Sequence, residues 1–544
     1  MTPTRIDWSV LSGPRVSRRT LLSLAAATGA VGLAGQLAEA GAAPRRMAAV
    51  VAKAQEPKTG GTLRLGFGLS QIPTLDPAQV NLGIVAGEIL SNLFSGLVQF
   101  DQELALIPDL AESWQVSEDG LTYTFALRGG LTFHNGDTLT SADIRYTYER
   151  TTNPDFASPH ANKLALIETV ETPDDLTVIL KLSAPFAPFL AVACSRGPGR
   201  ALTPVPRRAV EEMGDDQFGI TPVGCGPFAL VPESVDLSAG FEMRAFEGWH
   251  GGRPFLDAIE VSLIAEPSSR VSALEAGDVD MLDIVPAVGA SQLRENPDLT
   301  LIEVPGTNWI GLTMNYARPP WDNVDARMAV AKAIDRADLI EKGLFGLADP
   351  GAGAIAPAFA WAYEGTDLAT SPQAFDLEAA KALAESAGLV GLKPTLMGTV
   401  DNPRPAEVVR GQLADLGLDL QIEQLQAAAW NERWLAKDWE IIINGSVVDA
   451  DPDDGHWNFF QSEGPWNTQG YVNPRVDELL TGTRASADEG ERAALYQEMQ
   501  GILQSDVAYA FLYHTRDITG FHNDLRGYVP IPEMRYLETV WLDR

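Results

Sequence analysis

From Gly61 onward, runs of strand length alternate with runs of helix length nearly to the C-terminus. Strands are predicted at 61–68, 176–182, 241–246, 258–264, 301–304, 309–314, 393–397, 419–424 and 440–443. Helices are predicted at 85–94, 268–276, 326–333, 338–344, 377–387, 406–416 and 430–434. A chain that keeps switching between the two periods builds α/β units with parallel or mixed sheets. Beyond its leader the chain has roughly 500 residues, more than one hydrophobic core organises.

The first forty residues are an address rather than part of this pattern. Ser17-Arg18-Arg19-Thr20-Leu21-Leu22 is a twin-arginine motif, followed by a small-residue apolar run at 24–37 and an A-x-A cleavage site, Ala38-Glu39-Ala40. The run is too short and too rich in Gly and Ala for a spanning helix. No cysteine follows it, so a lipoprotein anchor is excluded. The expected organisation begins with a signal peptide over 1–40 and a flexible leader over 41–58. The expected location is the periplasm.

The formal net charge is −33. So acidic a chain is a poor partner for nucleic acid or an anionic membrane surface, and it suits a soluble exported protein.

Residues 108–150 carry the clearest local signals. Leu121, Tyr123, Phe125 and Leu127 alternate with polar or small residues, as in a half-buried strand. Gly129-Gly130 breaks the run, and His134-Asn135-Gly136-Asp137 forms a turn. Thr140 with Asp143 three residues on forms a capping box for the next helix. The whole block, PDLAESWQVSEDGLTYTFALRGGLTFHNGDTLTSADIRYTYER, resembles the signature of the extracellular solute-binding protein family 5. These are the periplasmic substrate-binding proteins of peptide- and nickel-type ABC importers. Four further segments resemble that family in the same order: Val223-Gly224-Cys225-Gly226-Pro227-Phe228, the RVSALEAGDVDMLD run at 270–283, the run from Asn315 to Arg336, and FDLEAAKALAESAGL with the helix end at 412–420.

The resemblance implies a two-lobed periplasmic-binding-protein fold of cluster C type, with two hinge crossings and a first lobe enlarged by an extra subdomain. Lobe one would comprise 59–306 plus 517–544, and lobe two 307–516. The crossings would lie near 305–309 and 516–518. The implied partners are a peptide or small-molecule ligand and the membrane subunits of an ABC importer, for a monomer without cofactor. A ligand other than a peptide, such as an oligosaccharide or metal chelate, is the alternative. An exported hydrolase is the competing class, and it would need a catalytic constellation.

Such a constellation is hard to find. No G-x-S-x-G or H-E-x-x-H occurs. The acidic run Asp449-Ala450-Asp451-Pro452-Asp453-Asp454-Gly455 fails as a calcium loop, because its glycine is one position late and Phe460 occupies position twelve. No metal site is expected. Cys194 and Cys225 could pair in an oxidising compartment or stay as two buried thiols.

The acidic run follows an apolar strand and so sits at a strand end, where α/β sheets bind ligands. The resemblance makes Asp449 the partner of a ligand ammonium group, with Asp451-Pro452 as the family's D-P. The spacing is one residue shorter than in dipeptide binders, and Ser446 stands where they often carry tryptophan. Twelve tryptophans offer stacking faces. Trp309, Trp430, Trp434, Trp457 and Trp466 fall in or near the second lobe, and Trp309 is favoured for its place at the crossing. Arg404, at a helix entry, could clamp a carboxylate. The expected ligand set is therefore Asp449, Ser446, Asp451, Trp309, Arg404 and Trp457.

Overall fold

The computed structural model describes residues 56–363, 365, 368–400, 403–446 and 451–544. The twin-arginine leader and Asp449 lie outside the described residues.

One mixed sheet of eleven strands organises the fold. Its order runs Gln421–Leu425, Thr395–Thr399, Ile441–Gly445, Leu299–Met314, Ala510–His522, Met281–Leu282, Thr62–Phe67, Ala258–Leu263, Gly240–Ala245, Phe228–Leu230. Ala348–Pro350 pairs with Ala510–His522 off this path.

Two long antiparallel strands join the halves of this sheet. They pair from Leu299 opposite His522 to Leu312 opposite Ala510. At one end Met281–Leu282 adds to Phe521 and Gly520. At the other, Ile441–Gly445 adds to Ile310–Met314. The sequence suggested two strands, 301–304 and 309–314. The structure has one, Leu299–Met314, with register shifts between Pro305 and Trp309 and between Ile310 and Gly311. Proline has no N–H to give the ladder, so at the first shift the strand bulges instead of ending.

The apolar cores follow the same division. Leu63, Leu65 and Phe67 share one core with Leu537, Val540 and Leu542, so the first strand and the C-terminal segment pack together. Leu312, Ala329, Leu396, Val409 and Ile441 belong to another core.

A separate four-stranded antiparallel sheet is ordered Ala111–Val116, Thr122–Leu127, Thr177–Leu182, Ile167–Asp174. Tyr123, Phe125 and Leu127 face its core, as their alternation predicts. Helix Ser141–Thr152 follows, with the capping box formed: the Thr140 amide donates to Asp143 Oδ2 over 2.8 Å. Two of the sequence motifs meet here. The His134 amide donates to the Gly224 carbonyl over 2.9 Å, and the Gly224 amide returns a bond to His134 Nδ1 over 3.2 Å. A side chain at Gly224 would collide with the Leu93 carbonyl, so glycine is required by this close approach. Burial pushes the His134 imidazole down to about 4.

Cys194 and Cys225 belong to the same core and stand there as two buried free thiols, the second of the two alternatives left open by the sequence. Burial keeps both protonated, pushing Cys225 up to about 12.

Candidate functional site

Strands Thr395–Thr399 and Ile441–Gly445 run parallel, so their carboxyl ends point the same way. A cavity of about 580 Å³ opens there. Gly398 and Thr399 end one strand in its wall, and Ile443, Asn444 and Gly445 end the other. This is the place where open α/β sheets hold ligands, and the volume is that of a small-molecule site.

The opposite wall comes from helix Ala427–Leu435. Trp430 and Trp434 lie four residues apart, so both indoles project from one face. Their rings stack with centroids 5.5 Å apart. Phe459 and Trp466 continue the aromatic surface, with Trp434 6.3 Å from each. Trp430 is fixed by its Nε1–H, which donates to the Met397 carbonyl over 3.2 Å. No residue of this helix is fully buried, and Leu435 is 48% exposed and Trp466 36%. Ile310, Leu396, Pro405, Ala406, Leu435, Asn431 and Tyr513 complete the lining. None of the described lining residues carries a charge.

A second groove of about 380 Å³ lies between the four-stranded-sheet region and the segments around Phe359, Trp361 and Arg492. Leu104, Tyr123 and Leu190 face it from the first side.

The expected ligand residues are dispersed. Trp309 is fully buried and stacks on Phe460 at 5.3 Å with Tyr509 edge-on at 4.9 Å, so it is core and not cavity wall. Ser446 is buried and accepts a 3.4 Å hydrogen bond from the Trp309 amide, closing the end of the sheet. Asp451 caps helix Pro452–Phe460, accepting from the Asp453 amide, and pairs with Arg492 at 2.6 Å. From Pro452 on, the acidic run is thus a helix start rather than a loop, and its carboxylates suit the positive helix N-terminus. Arg404 begins helix Arg404–Ala414, exposed, its guanidinium 4.5 Å from the Phe345 ring centroid. Trp457 is covered by the Arg484 guanidinium at 3.4 Å. Asp453, almost fully buried, binds that guanidinium through two bonds of 2.7 and 2.8 Å. Burial raises the Asp453 carboxyl to about 6 despite Arg484.

The profile of the bacterial extracellular solute-binding proteins, family 5 Middle, matches residues 105–468, which is most of the chain and includes every lining residue of the cavity but Tyr513. The chain belongs to this family. This family-5 chain is 27% identical over 479 residues to the glutathione-binding protein GsiB of Pectobacterium atrosepticum, covering 85% of the chain and 91% of the relative. The Salmonella paratyphi A protein of the same name is 28% identical over 474 residues, covering 83% and 90%. Among solved structures it resembles the periplasmic binding protein DppA of Helicobacter pylori in complex with the peptide STSA. The TM-score there is 0.75 at 26% identity, over 90% of this chain and 99% of the other. It also resembles the binding protein AgaA of A. tumefaciens in complex with agropinic acid, with TM-score 0.72 at 25% identity, over 89% and 99%. The fold is therefore the two-lobed one of these binding proteins.

Within the family-5 frame, the residues that sequence reading missed are Asn444, Thr399, Asn431 and Tyr513. Asn444 had a signal: it breaks the apolar run Ile441-Ile442-Ile443 at a strand end. The others depend on packing across separate elements.

Proposed function

We propose that this chain is the substrate-binding component of an ABC importer. It captures a small peptide-like solute between two lobes and presents it to the membrane permease. The observation that carries this reading is the cavity at the carboxyl ends of Thr395–Thr399 and Ile441–Gly445, with its aromatic wall and its amide and hydroxyl groups. Stacking faces and a few placed polar groups are the means of holding a solute. The names and titles of its relatives agree, one being a glutathione binder and one a complex with a short peptide.

Lobe one comprises 59–306 plus 517–544 and lobe two 307–516, and the strands Leu299–Met314 and Ala510–His522 form both crossings. Support comes from their pairing with different strand groups at each end. Asp449 is the partner of the ligand's ammonium group, because it follows the strand that ends in the cavity wall. The twin-arginine leader takes the chain to the periplasm, where it works as a monomer. No covalent step occurs: contacts from both lobes favour the closed state by differential affinity. A second reading, an oligosaccharide stacked on Trp430, Trp434 and Trp466, is favoured by the exposed indole wall.

Native mass spectrometry of protein purified from its own periplasm without denaturation tests the proposal. The expected result is a 1:1 adduct that fragments as a short peptide. An adduct that fragments as a sugar supports the second reading. Continuous hydrolysis of peptides added to the purified protein refutes the binding role.

A further inference from the structure

The C-terminal segment pins a carboxyl group against the strand Leu299–Met314. Glu533 sits in a tight turn at φ +61°, a conformation that a residue with a side chain keeps only when its surroundings enforce it. Behind it, a side chain at Gly87 would strike the Glu533 carbonyl, so the turn lies directly on the helical segment Ala86–Leu90. In front, a Cβ at Gly306 would lie 3.2 Å from Glu533 Oε1 and 2.9 Å from the Thr515 carbonyl. The missing side chain leaves the carboxyl its place. There Glu533 Oε1 accepts from Asn308 Nδ2 over 3.2 Å, and a bond from the Thr307 backbone supports the carboxylate as well. In the proposed lobe division Glu533 belongs to lobe one and Asn308 to lobe two, so this contact crosses the boundary.

The charges around Glu533 do not balance. Arg535 Nη1 donates to Glu88 Oε1 over 2.8 Å, and Nη2 donates to Asp517 Oδ1 over 3.1 Å. The other oxygen of Asp517 accepts from the Glu533 amide over 3.0 Å. Glu88, Asp517 and Glu533 thus share one guanidinium. Arg535 also donates to the carbonyl of Asp283, whose carboxyl has Arg270 as a second cation in reach. Tyr528 faces the group from the C-terminal segment, and His514 Nδ1 lies 3.2 Å from the Asn308 carbonyl. The strand Leu299–Met314 adds no titratable side chain over 305–309. Carboxylates crowded out of water are relieved by taking up a proton. Burial raises Glu88 and Asp283, and it pushes Glu533 up to about 7 with help from Asp517. Glu88, Asp517 and Arg535 are buried, whereas Glu533 keeps part of its surface open, so it is the member that exchanges protons with solvent.

We propose that Glu533 is a proton-operated latch between the lobes: its neutral carboxyl holds the conformation seen here, packed on Gly306 and Asn308, and its ionisation favours a rotation of the paired long strands that parts it from Asn308 and admits water. The sign follows from linkage. The carboxyl binds its proton more tightly here than it would in water, so acid favours this conformation and alkali the parted one. A solute held by both lobes in this conformation is released more readily as pH rises. The proposal rests on the lobe division and not on the identity of the solute.

The test is double electron–electron resonance on the full exported chain with no ligand added. Nitroxides are attached at Ile220→Cys and Val390→Cys, exposed positions in lobe one and lobe two. Ile220→Cys with Leu176→Cys, both in lobe one, is the control pair. The expected result is two distances for the first pair, their ratio changing at least 10-fold between pH 5.5 and pH 8, and one constant distance for the control. Glu533→Gln keeps the shape and the acceptor but not the charge, and it holds the pH 5.5 distribution throughout. Asn308→Ala cuts the contact from the other side and diminishes the response. A thermal unfolding transition for each variant shows that it is folded. A first-pair distribution that ignores pH, or a response that survives either substitution undiminished, overturns the latch and leaves the binding role intact. An equal change in the control pair places the motion inside lobe one and overturns the lobe division together with the latch.

Discussion

The Ala187 amide donates to the Arg484 carbonyl over 2.7 Å, joining segments nearly 300 positions apart in the chain. The Arg484 side chain reinforces the contact, with its guanidinium 5.2 Å from the Phe186 ring centroid and 3.4 Å from that of Trp457. Phe186 belongs to the core of the four-stranded sheet, whereas Trp457 packs on the core around Phe459 and Tyr496. In the proposed lobe division this residue bridges the two lobes.

Arg484→Ala should be costly, because it strands the buried Asp453 carboxylate. Breaking a buried pair by removing one partner costs about 3–5 kcal/mol. Adding Asp453→Asn to Arg484→Ala should restore much of the loss, since it removes the orphaned charge. Denaturant unfolding of both singles and the double gives the coupling energy. Additive losses would show that the pair contributes nothing as a pair.

Glu533 provides a pH signature beside the strand Leu299–Met314. Its Oε1 accepts from Asn308 Nδ2 over 3.2 Å, and its amide donates to Asp517 Oδ2 over 3.0 Å. Burial first, and Asp517 next, push its carboxyl from 4.5 up to about 7, while Arg535 works the other way. The folded value lies above the unfolded one, so folding favours the protonated form. Its contribution to stability is full below pH 4.5 and is lost as pH rises through 7. Glu533→Gln removes this titration. Relative to wild type, the variant should gain on the order of 2 kcal/mol between pH 5 and pH 8. Parallel stability curves over that range would contradict the assignment.

Trp309 should behave as core. Its indole is fully buried among Phe459, Phe460, Tyr509 and Phe511. Trp309→Ala should cost about 3–5 kcal/mol in stability. Trp309→Leu should restore part of it, and ligand affinity measured on the folded fraction should stay within about threefold. A selective loss of affinity with unchanged stability would place Trp309 in the ligand site after all.

Much of this was legible in the residues themselves. The period-two run at Tyr123, Phe125 and Leu127 and the Thr140–Asp143 box formed as written, because both are local patterns with local causes. The family block placed the fold, and the i, i+4 spacing of Trp430 and Trp434 already put two indoles on one face. Trp309 was misread because it lies between two register shifts, where strand alternation does not say which face a side chain takes. Asp451 was misread because an acidic run looks alike as a solvated loop and as a helix start with proline at its first turn. That Asn444 reaches the cavity wall shows only when strands distant in sequence are set side by side.

Asp449→Ala tests the proposed ammonium contact. A buried charge-assisted hydrogen bond lost on one side costs on the order of 2–5 kcal/mol. The substitution should weaken a peptide ligand by about 30-fold or more without lowering the melting temperature. An unchanged dissociation constant would remove Asp449 from the site and favour an uncharged ligand.

Isothermal titration calorimetry of the full exported chain against short peptides, glutathione, oligosaccharides and metal chelates tests the central claim most directly, with the compounds analysed after the titration. The account predicts saturable 1:1 binding of a peptide-like compound, recovered chemically unchanged. Conversion of that compound to product, or saturable binding of none of these classes, would contradict it.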